Sequence, residues 1–497
     1  MSSTRTLLFV ALSGLLLFAC RKDEQFTDEP GIELVFSADT VLFDTVFTTV
    51  GTITKRFTAR NPSSNAVRVD IFLEGGTPSP YRINVDGASG TTFNDVEILG
   101  GDSIFVFVEA TLGQSGANSP FVIEDHIRFN TNGTEQDVLL VAWGQNAHFF
   151  HPDRNIPGFP SFSIVAGSDE NGMAICETVH WTNDLPYVIY GYAVVDSCST
   201  LLIDPGVRVY VHGGGGLWVY RYGRILAEGT VEEPITFQSD RLEPAYAELP
   251  GQWDRIWINE GPAGNDNRLV NVVIKNALIG VQCETFPLDP DQPTSEAKLV
   301  LNNAHIRNCS AAGILSRNYR IESNNLLVGD CGQYGVALTG GGEYFFNQFT
   351  IANYWSYEVR NTPAFFMTNA FQDINGTVQI RDITNSTIQN GIIHGANTNE
   401  FQLEFDQMLT PQLTFQRVML RTDQNTSGAL FPDPNNIYRN QDPGFRSSSD
   451  RDFHLTPNAF PIAKSSPSTI EALFDLDGES RSGADGLYDL GCFEYVP

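Results

Sequence analysis

Between Asn265 and Gly395 one short phrase recurs: an aliphatic residue, any residue, then Asn or Asp. It reads Ile274-Lys275-Asn276, Ile306-Arg307-Asn308, Val328-Gly329-Asp330, Ile351-Ala352-Asn353 and Ile388-Gln389-Asn390. The polar members are 32, 22, 23 and 37 residues apart, so two steps agree and the longer two contain inserted segments, Thr285 to Glu296 and Pro363 to Gly376. Gly280, Gly313, Gly335 and Gly395 follow four of the copies at four or five residues, marking a turn that recurs with the phrase. A period in the low twenties made of short strands and Gly/Asn turns predicts a solenoid.

A single coil of that length cannot bury its own apolar face, but coils stacked about 4.8 Å apart place like residues over one another. Asn then stacks on Asn, each amide within reach of the next, while the aliphatic residue two positions earlier points into the core. Cys309 and Cys331 each follow a ladder residue directly and are predicted to be stacked, buried thiols.

The 497-residue chain has room for two or three domains. With 59 Asp+Glu against 30 Lys+Arg the formal net charge is -29, which excludes nucleic acid as a partner. A polyanionic glycan would need a Ca²⁺ bridge or a local basic patch. The 44 Gly, the 34 Phe and the scarcity of helical periodicity indicate an all-β protein.

Arg5 precedes a 13-residue apolar run, Leu7 to Ala19, too short for a stable membrane span. Leu17-Phe18-Ala19-Cys20 resembles a bacterial lipobox, although Phe18 stands where a small residue is usual. The resemblance implies a signal peptide over 1–19 and lipidation at Cys20, with 20–31 as a tether. Arg21-Lys22-Asp23-Glu24 is similar to the export signal that sends Bacteroidetes lipoproteins to the cell exterior; a solvated tether reads equally well. Six cysteines remain in the mature chain. Cys176 and Cys198 could bridge, but no spacing demands it.

Residues 32–148 alternate apolar and polar in VRVDIFL (67–73), IFVFVEA (104–110) and VLLVAW (138–143), which predicts a β-sandwich. Together with FDTVFTTVGTITKRFTARNPSSNAVRV and YRINVDG, these runs resemble the immunoglobulin-like N-terminal domain of a group of Bacteroidetes lipoproteins. A connector with an N-terminal cap is expected over 149–187. At its start His148, His151 and Asp153 are a minimal Zn²⁺ set, against which stands an ordinary loop with surface histidines. A parallel β-helix is expected over 188–440. Its opening, with LAEGT at 226–230, PITF at 234–237 and GQWDRIWI at 251–258, resembles the first coils of right-handed, single-stranded parallel β-helix proteins. Residues 441–497, ending in Asp489-Leu490-Gly491-Cys492-Phe493-Glu494, resemble the closing segment of surface β-helices of the pectin-lyase-like superfamily and are expected to cap the solenoid.

A polysaccharide lyase or glycosidase would need acid and base groups on one outer face. Asp330 and Asp382 are the catalytic candidates, with Asp373 and Asp406 nearby in sequence, but the conserved-type blocks of polygalacturonase-like hydrolases are missing. Asp289 and Asp291 on the inserted loop are the candidates for Ca²⁺, the one cofactor in view; a solvated loop is the plainer reading. For ligand binding the candidates are Tyr354, Trp355 and Tyr357, with Trp253 and Trp257 earlier, since aromatic faces stack on sugar rings; burial in coil corners is the competing reading. The expectation is a non-catalytic cell-surface lipoprotein that binds glycan or a protein partner through its β-helix. The alternatives are a glycan-cleaving enzyme and an architectural stalk or adhesin.

Overall fold

The structure, a computed structural model, describes residues 25–48, 50–114, 121–169, 173–289, 291–466, 472–481 and 488–496. The signal segment, Cys20 and the charged run after it lie outside the described residues. The chain divides into two compact units between Asn146 and Ala147.

In the first unit two five-stranded sheets share one apolar core. One carries Val35–Phe36, Lys55–Arg60, Ser103–Ala110, Tyr81–Val85 and Ala88–Gly90; the other carries Thr40–Phe47, Thr134–Gln145, Phe121–Thr131, Val67–Leu73 and Thr92–Ile98. Period two dictates the burial. Val67, Val69, Ile71 and Leu73 are buried, while Arg68, Asp70 and Phe72 between them are exposed. Among the described residues all strand-to-strand pairings are antiparallel except Thr134–Gln145 with Thr40–Phe47.

Among its described residues the second unit is all-β apart from two three-residue 3₁₀ turns and is dominated by one 21-stranded sheet whose helix-like winding follows from its pairing: through the early coils each strand pairs in parallel with the third strand after it. Three ladders result. Ladder I begins with His148–Phe150, Tyr187–Ile189 and Arg208–Val211; ladder II with Phe162–Ala166, Tyr192–Val195 and Gly216–Val219; ladder III with Thr178–Trp181, Thr200–Ile203 and Arg224–Glu228. Parallel pairing therefore starts at His148, and the segment expected to be a connector forms a full coil. Cys176 and Cys198, 22 residues apart, are joined by a disulfide with a Cα–Cα distance of 5.1 Å.

Ile274, Ile306, Val328 and Ile351 stack in register on ladder I and are fully buried. Cys309 lies over Cys331, also fully buried. The fifth copy of the phrase is corrected. Ile393, not Ile388, lies under Ile351, and Ile388 belongs to ladder III under Phe346. Asn390 instead shares a second turn with Asn271, Asn303, Asn325, Gln348 and Arg417, all with φ between 48° and 56°. Asn tolerates this left-handed conformation better than most residues. One position earlier, Asn302, Asn324, Asn347 and Gln389 pass amide hydrogen bonds from coil to coil at 3.3, 3.0 and 3.3 Å. In the first ladder Asn308 Nδ2 donates to Asn276 Oδ1 at 2.7 Å, but no bond joins Asn308 to Asp330 among the described residues. The longer coils hold the irregular stretches 285–289 and 291–296 and an antiparallel hairpin, Ala370–Gln372 with Val378–Ile380.

The expected cap is also relocated. At the far end, side chains supply the missing neighbours: Gln424 bonds the N–H and C=O of Leu403 (3.0 and 3.2 Å), and Asn440 bonds those of Thr422 (2.9 and 3.1 Å). The described residues among 441–496 run instead along the outer side of ladder I. Phe453, Cys492 and Phe493 cluster with Leu327 and Ala352, and Leu455, Ala459 and Leu490 with Ile392 and Met419. Leucine, isoleucine and methionine on an outward face need such cover.

Candidate functional site on ladder II

Outward-facing positions on ladder II form two rows. Register aligns Trp218, Trp257, Gln282 and Leu315 in one, and places Glu284 against Arg317 in the other, with Tyr220 and Asn259 continuing it. The Trp218 and Trp257 rings stack at 4.6 Å and 11°, and Phe159 stacks on Trp218 at 5.7 Å. Tyr220 meets Trp218 and Phe286 edge-on at 5.3 and 5.5 Å. Indole N–H groups need acceptors when covered: Trp218 Nε1 donates to Asn259 Oδ1 at 2.8 Å and Trp257 Nε1 to Glu284 Oε1 at 2.9 Å. Beside this row a cleft of about 250 Å³ opens, lined by Phe159, Phe162, Trp218 and Tyr220, with Arg154 and Asp196 as its charged groups.

Glu284 is 2% exposed, accepts from Gln282 Nε2 at 2.6 Å and lies 3.3 Å from Arg317. Burial pushes its carboxyl above the ordinary glutamate range, against the pull of Arg317, Gln282 and Trp257. Glu260, 5% exposed, accepts from Arg221 Nε at 2.5 Å and from the Phe286 backbone N–H at 2.7 Å. Asp254 accepts from Tyr192 and pairs with Arg255 at 2.7 Å. Each of these carboxylates is thus already engaged, and Glu284 and Glu260 are also covered.

The sequence-derived candidates lie elsewhere. Asp330 sits at the end of a ladder I strand and is held by Tyr354 N–H at 3.1 Å and Arg451 Nε at 2.5 Å. Asp382 is exposed and its carbonyl accepts from Gly342 at the entry to ladder III. The ladder II strand Tyr334–Thr339 runs between those two corners, and six residues at about 3.3 Å each give about 20 Å. Hydrolytic carboxylate pairs need about 5 to 10 Å, so the structure does not bring Asp330 and Asp382 together. Asp373 folds the hairpin, accepting from the N–H groups of Asn375 and Thr377, both at 2.9 Å. Asp406 accepts from Met408 N–H at 2.8 Å within its own turn.

The aromatic face expected around Trp355 is corrected in its members. Trp355 is 7% exposed, because it packs against Gly332 and under Tyr357. Tyr354 packs on Phe453 and shares a hydrogen bond with His394 at 2.8 Å. Only Tyr357, 48% exposed, presents a ring to solvent. Trp253 is core, with Nε1 donating to Lys275 O at 2.9 Å. Asp289 accepts from Gln292 at 2.5 Å, Asp291 is exposed, and among the described residues no three His, Cys, Asp or Glu side chains gather as metal ligands. His148 stacks on Tyr187 at 4.7 Å and His151 on Tyr190 at 4.8 Å, so the rings are taken up in separate stacks. Of the outward rows of ladder II the sequence reading named only Trp257; the signal for the rest was the outward pair at i and i+2, Trp218/Tyr220, Trp257/Asn259, Gln282/Glu284 and Leu315/Arg317.

No protein-family model matches the sequence, and no curated protein matches it. Among solved structures the chain is similar to the catalytic domain of a GH87 alpha-1,3-glucanase in complex with nigerose, at 12% identity over 74% of this chain and 82% of that one, with a TM-score of 0.15. It is also similar to a family 123 glycoside hydrolase from Clostridium perfringens, at 7% identity over 24% of this chain and 30% of that one, with a TM-score of 0.18. Likenesses this loose carry no argument about the site.

Proposed function

We propose that this chain is a cell-surface lipoprotein, anchored in the outer membrane through Cys20, that binds a neutral glycan without cutting it. In this reading the first unit is an immunoglobulin-like β-sandwich and the second a right-handed, single-stranded parallel β-helix of the pectin-lyase-like kind. The observation that carries the binding role is the cleft lined by the half-buried rings of Phe159 and Tyr220, with Arg154 and Asp196 at hand and the buried Trp218 stack behind it. A sugar ring has an apolar face and a hydroxyl edge; aromatic rings take the first and a charged pair the second. The engaged state of Glu260, Glu284 and Asp330 supports a non-catalytic role.

Affinity electrophoresis of the purified chain against neutral polysaccharides tests this. Binding to at least one is expected, weakened several-fold by Tyr220→Ala and by Phe159→Ala. A full set of neutral glycans without a hit would overturn it and leave the protein partner or the stalk. The enzyme alternative draws on Glu284, a buried carboxyl pushed upward as a general acid's would be. Release of reducing ends that disappears in Glu284→Gln would establish that reading instead, and would also overturn the non-catalytic one.

A further inference from the structure

The described residues of the first unit include five arginines, Arg56, Arg60, Arg68, Arg82 and Arg128, and they are not distributed evenly. Arg68 and Arg128 lie on one sheet and are paired, Arg68 with Glu97 at 3.5 Å and Arg128 with Glu74 at 2.6 Å. Arg56, Arg60 and Arg82 lie on the outward side of the other sheet, and among the described residues no carboxylate is within 4.0 Å of them. Pairing fixes their setting. Arg56 is opposite Phe107, which is opposite Asn84; Arg60 is opposite Ser103; Arg82 is opposite Glu109. The Arg56 guanidinium lies 5.4 Å from the Phe105 ring, which is 44% exposed. Arg82 is oriented by bonds from NH1 to the carbonyls of Ser79 and Tyr81, 2.7 and 2.9 Å. A cleft of about 490 Å³ lies here, lined among others by Arg82, Asn84, Ser89, Phe107 and Glu109.

We infer that this face binds an acidic polysaccharide, one whose rings carry carboxylate or sulfate groups. Guanidinium forks match planar oxyanions, Phe107 offers a ring face, and Asn84 and Glu109 offer acceptors for hydroxyls. The whole chain carries a formal charge of -29, so a polyanion is repelled unless it meets a local basic face, and here is one. A flat anionic bilayer fits less well, because the site is a cleft. The inference is independent of the ladder II reading.

Isothermal titration of the purified full chain with polygalacturonate, chondroitin sulfate and neutral dextran at low salt tests it. At least one acidic chain should bind, the two arms telling uronate from sulfate, and added salt should weaken binding. The double substitution Arg56→Gln/Arg82→Gln should weaken it about tenfold or more and Phe107→Ala several-fold. Arg128→Gln on the opposite sheet should change nothing. Melting curves unchanged from the parent exclude misfolding of these exposed-site variants. No binding to either acidic chain, or binding that survives the double substitution, overturns the inference. So does binding to vesicles of anionic lipid that is lost in the same variant without any acidic glycan being bound. Dextran binding reports on ladder II separately.

Discussion

The two flanks of the solenoid make an instructive pair. On ladder I the outward row includes His305, Leu327, Thr350, Ile392 and Met419, and the chain covers it with its own C-terminal segment, leaving Leu327, Ile392 and Met419 at 2% exposure or less. On ladder II the outward row turns from Trp218 and Trp257 to Gln282 and Glu284, and a cleft remains beside it. The same backbone geometry serves both. An aliphatic outer row recruits a cover, whereas the aromatic and polar one, with Trp218, Gln282 and Glu284 at 6% exposure or less, pairs its polar groups within itself and leaves a cleft only at its margin.

The largest effect that would break this contrast is in the cover. Phe453→Ala deletes a ring that is 3% exposed against Leu327 and Ala352, and should cost about 3–5 kcal/mol in chemical denaturation. A loss below about 1 kcal/mol would mean the segment is not packed there. Next comes Asp330→Asn, which leaves Arg451 without its covered carboxylate partner and should cost about 1.5–3 kcal/mol.

Asn308→Leu removes the bonds to Asn276 Oδ1 and Glu248 O and should cost about 1–3 kcal/mol, read from the melting temperature. A melting temperature equal to the parent's would dissolve the ladder argument.

The cover should also show a two-sided pH response. His394, under the cover beside Tyr354, is pushed down to about 4 by burial and Arg421, and His305 to about 3 by burial and Arg307. Between those values and the ordinary 6.5 the unfolded chain binds protons that the folded chain does not, so stability falls on acidification through this window. His454, within the cover, is raised by Asp477 and Asp452 at 2.6 and 2.5 Å. Its contribution is complete below 6.5 and is lost as pH rises through its higher folded value. Denaturation midpoints measured across pH should therefore fall on both sides, and His454→Gln should flatten only the alkaline limb. The smallest effect is expected for exposed Asp382→Asn, within about 0.5 kcal/mol of the parent. A larger loss would mean that it holds a contact this geometry lacks.

Much of the architecture was legible without coordinates. Period-two runs such as Val67 to Leu73 and the Ile/Val-x-Asn/Asp phrase with its following glycine report local burial and turn geometry, which the chain encodes residue by residue. The Cys176–Cys198 spacing of 22 equals the agreeing step of that phrase, so the bridge too was in principle readable. The phrase failed once, at Ile388-Gln389-Asn390, because both turns use left-handed Asn and only strand pairing tells them apart. The doubled amides Asn302-Asn303, Asn324-Asn325, Asn347-Gln348 and Gln389-Asn390 mark that second turn in the sequence itself.

Sequence alone therefore determined the all-β class, the repeat, the acidic balance and the stacking of Cys309 on Cys331. Tertiary structure alone decided which outward residues meet. It set Asp330 and Asp382 about 20 Å apart on different corners, buried Trp355, and laid the described residues of 441–496 along a flank. The reason is that a repeat fixes neighbours one coil apart, whereas inserted loops of unequal length and a returning C-terminal segment choose their contacts by packing, which leaves no period to read.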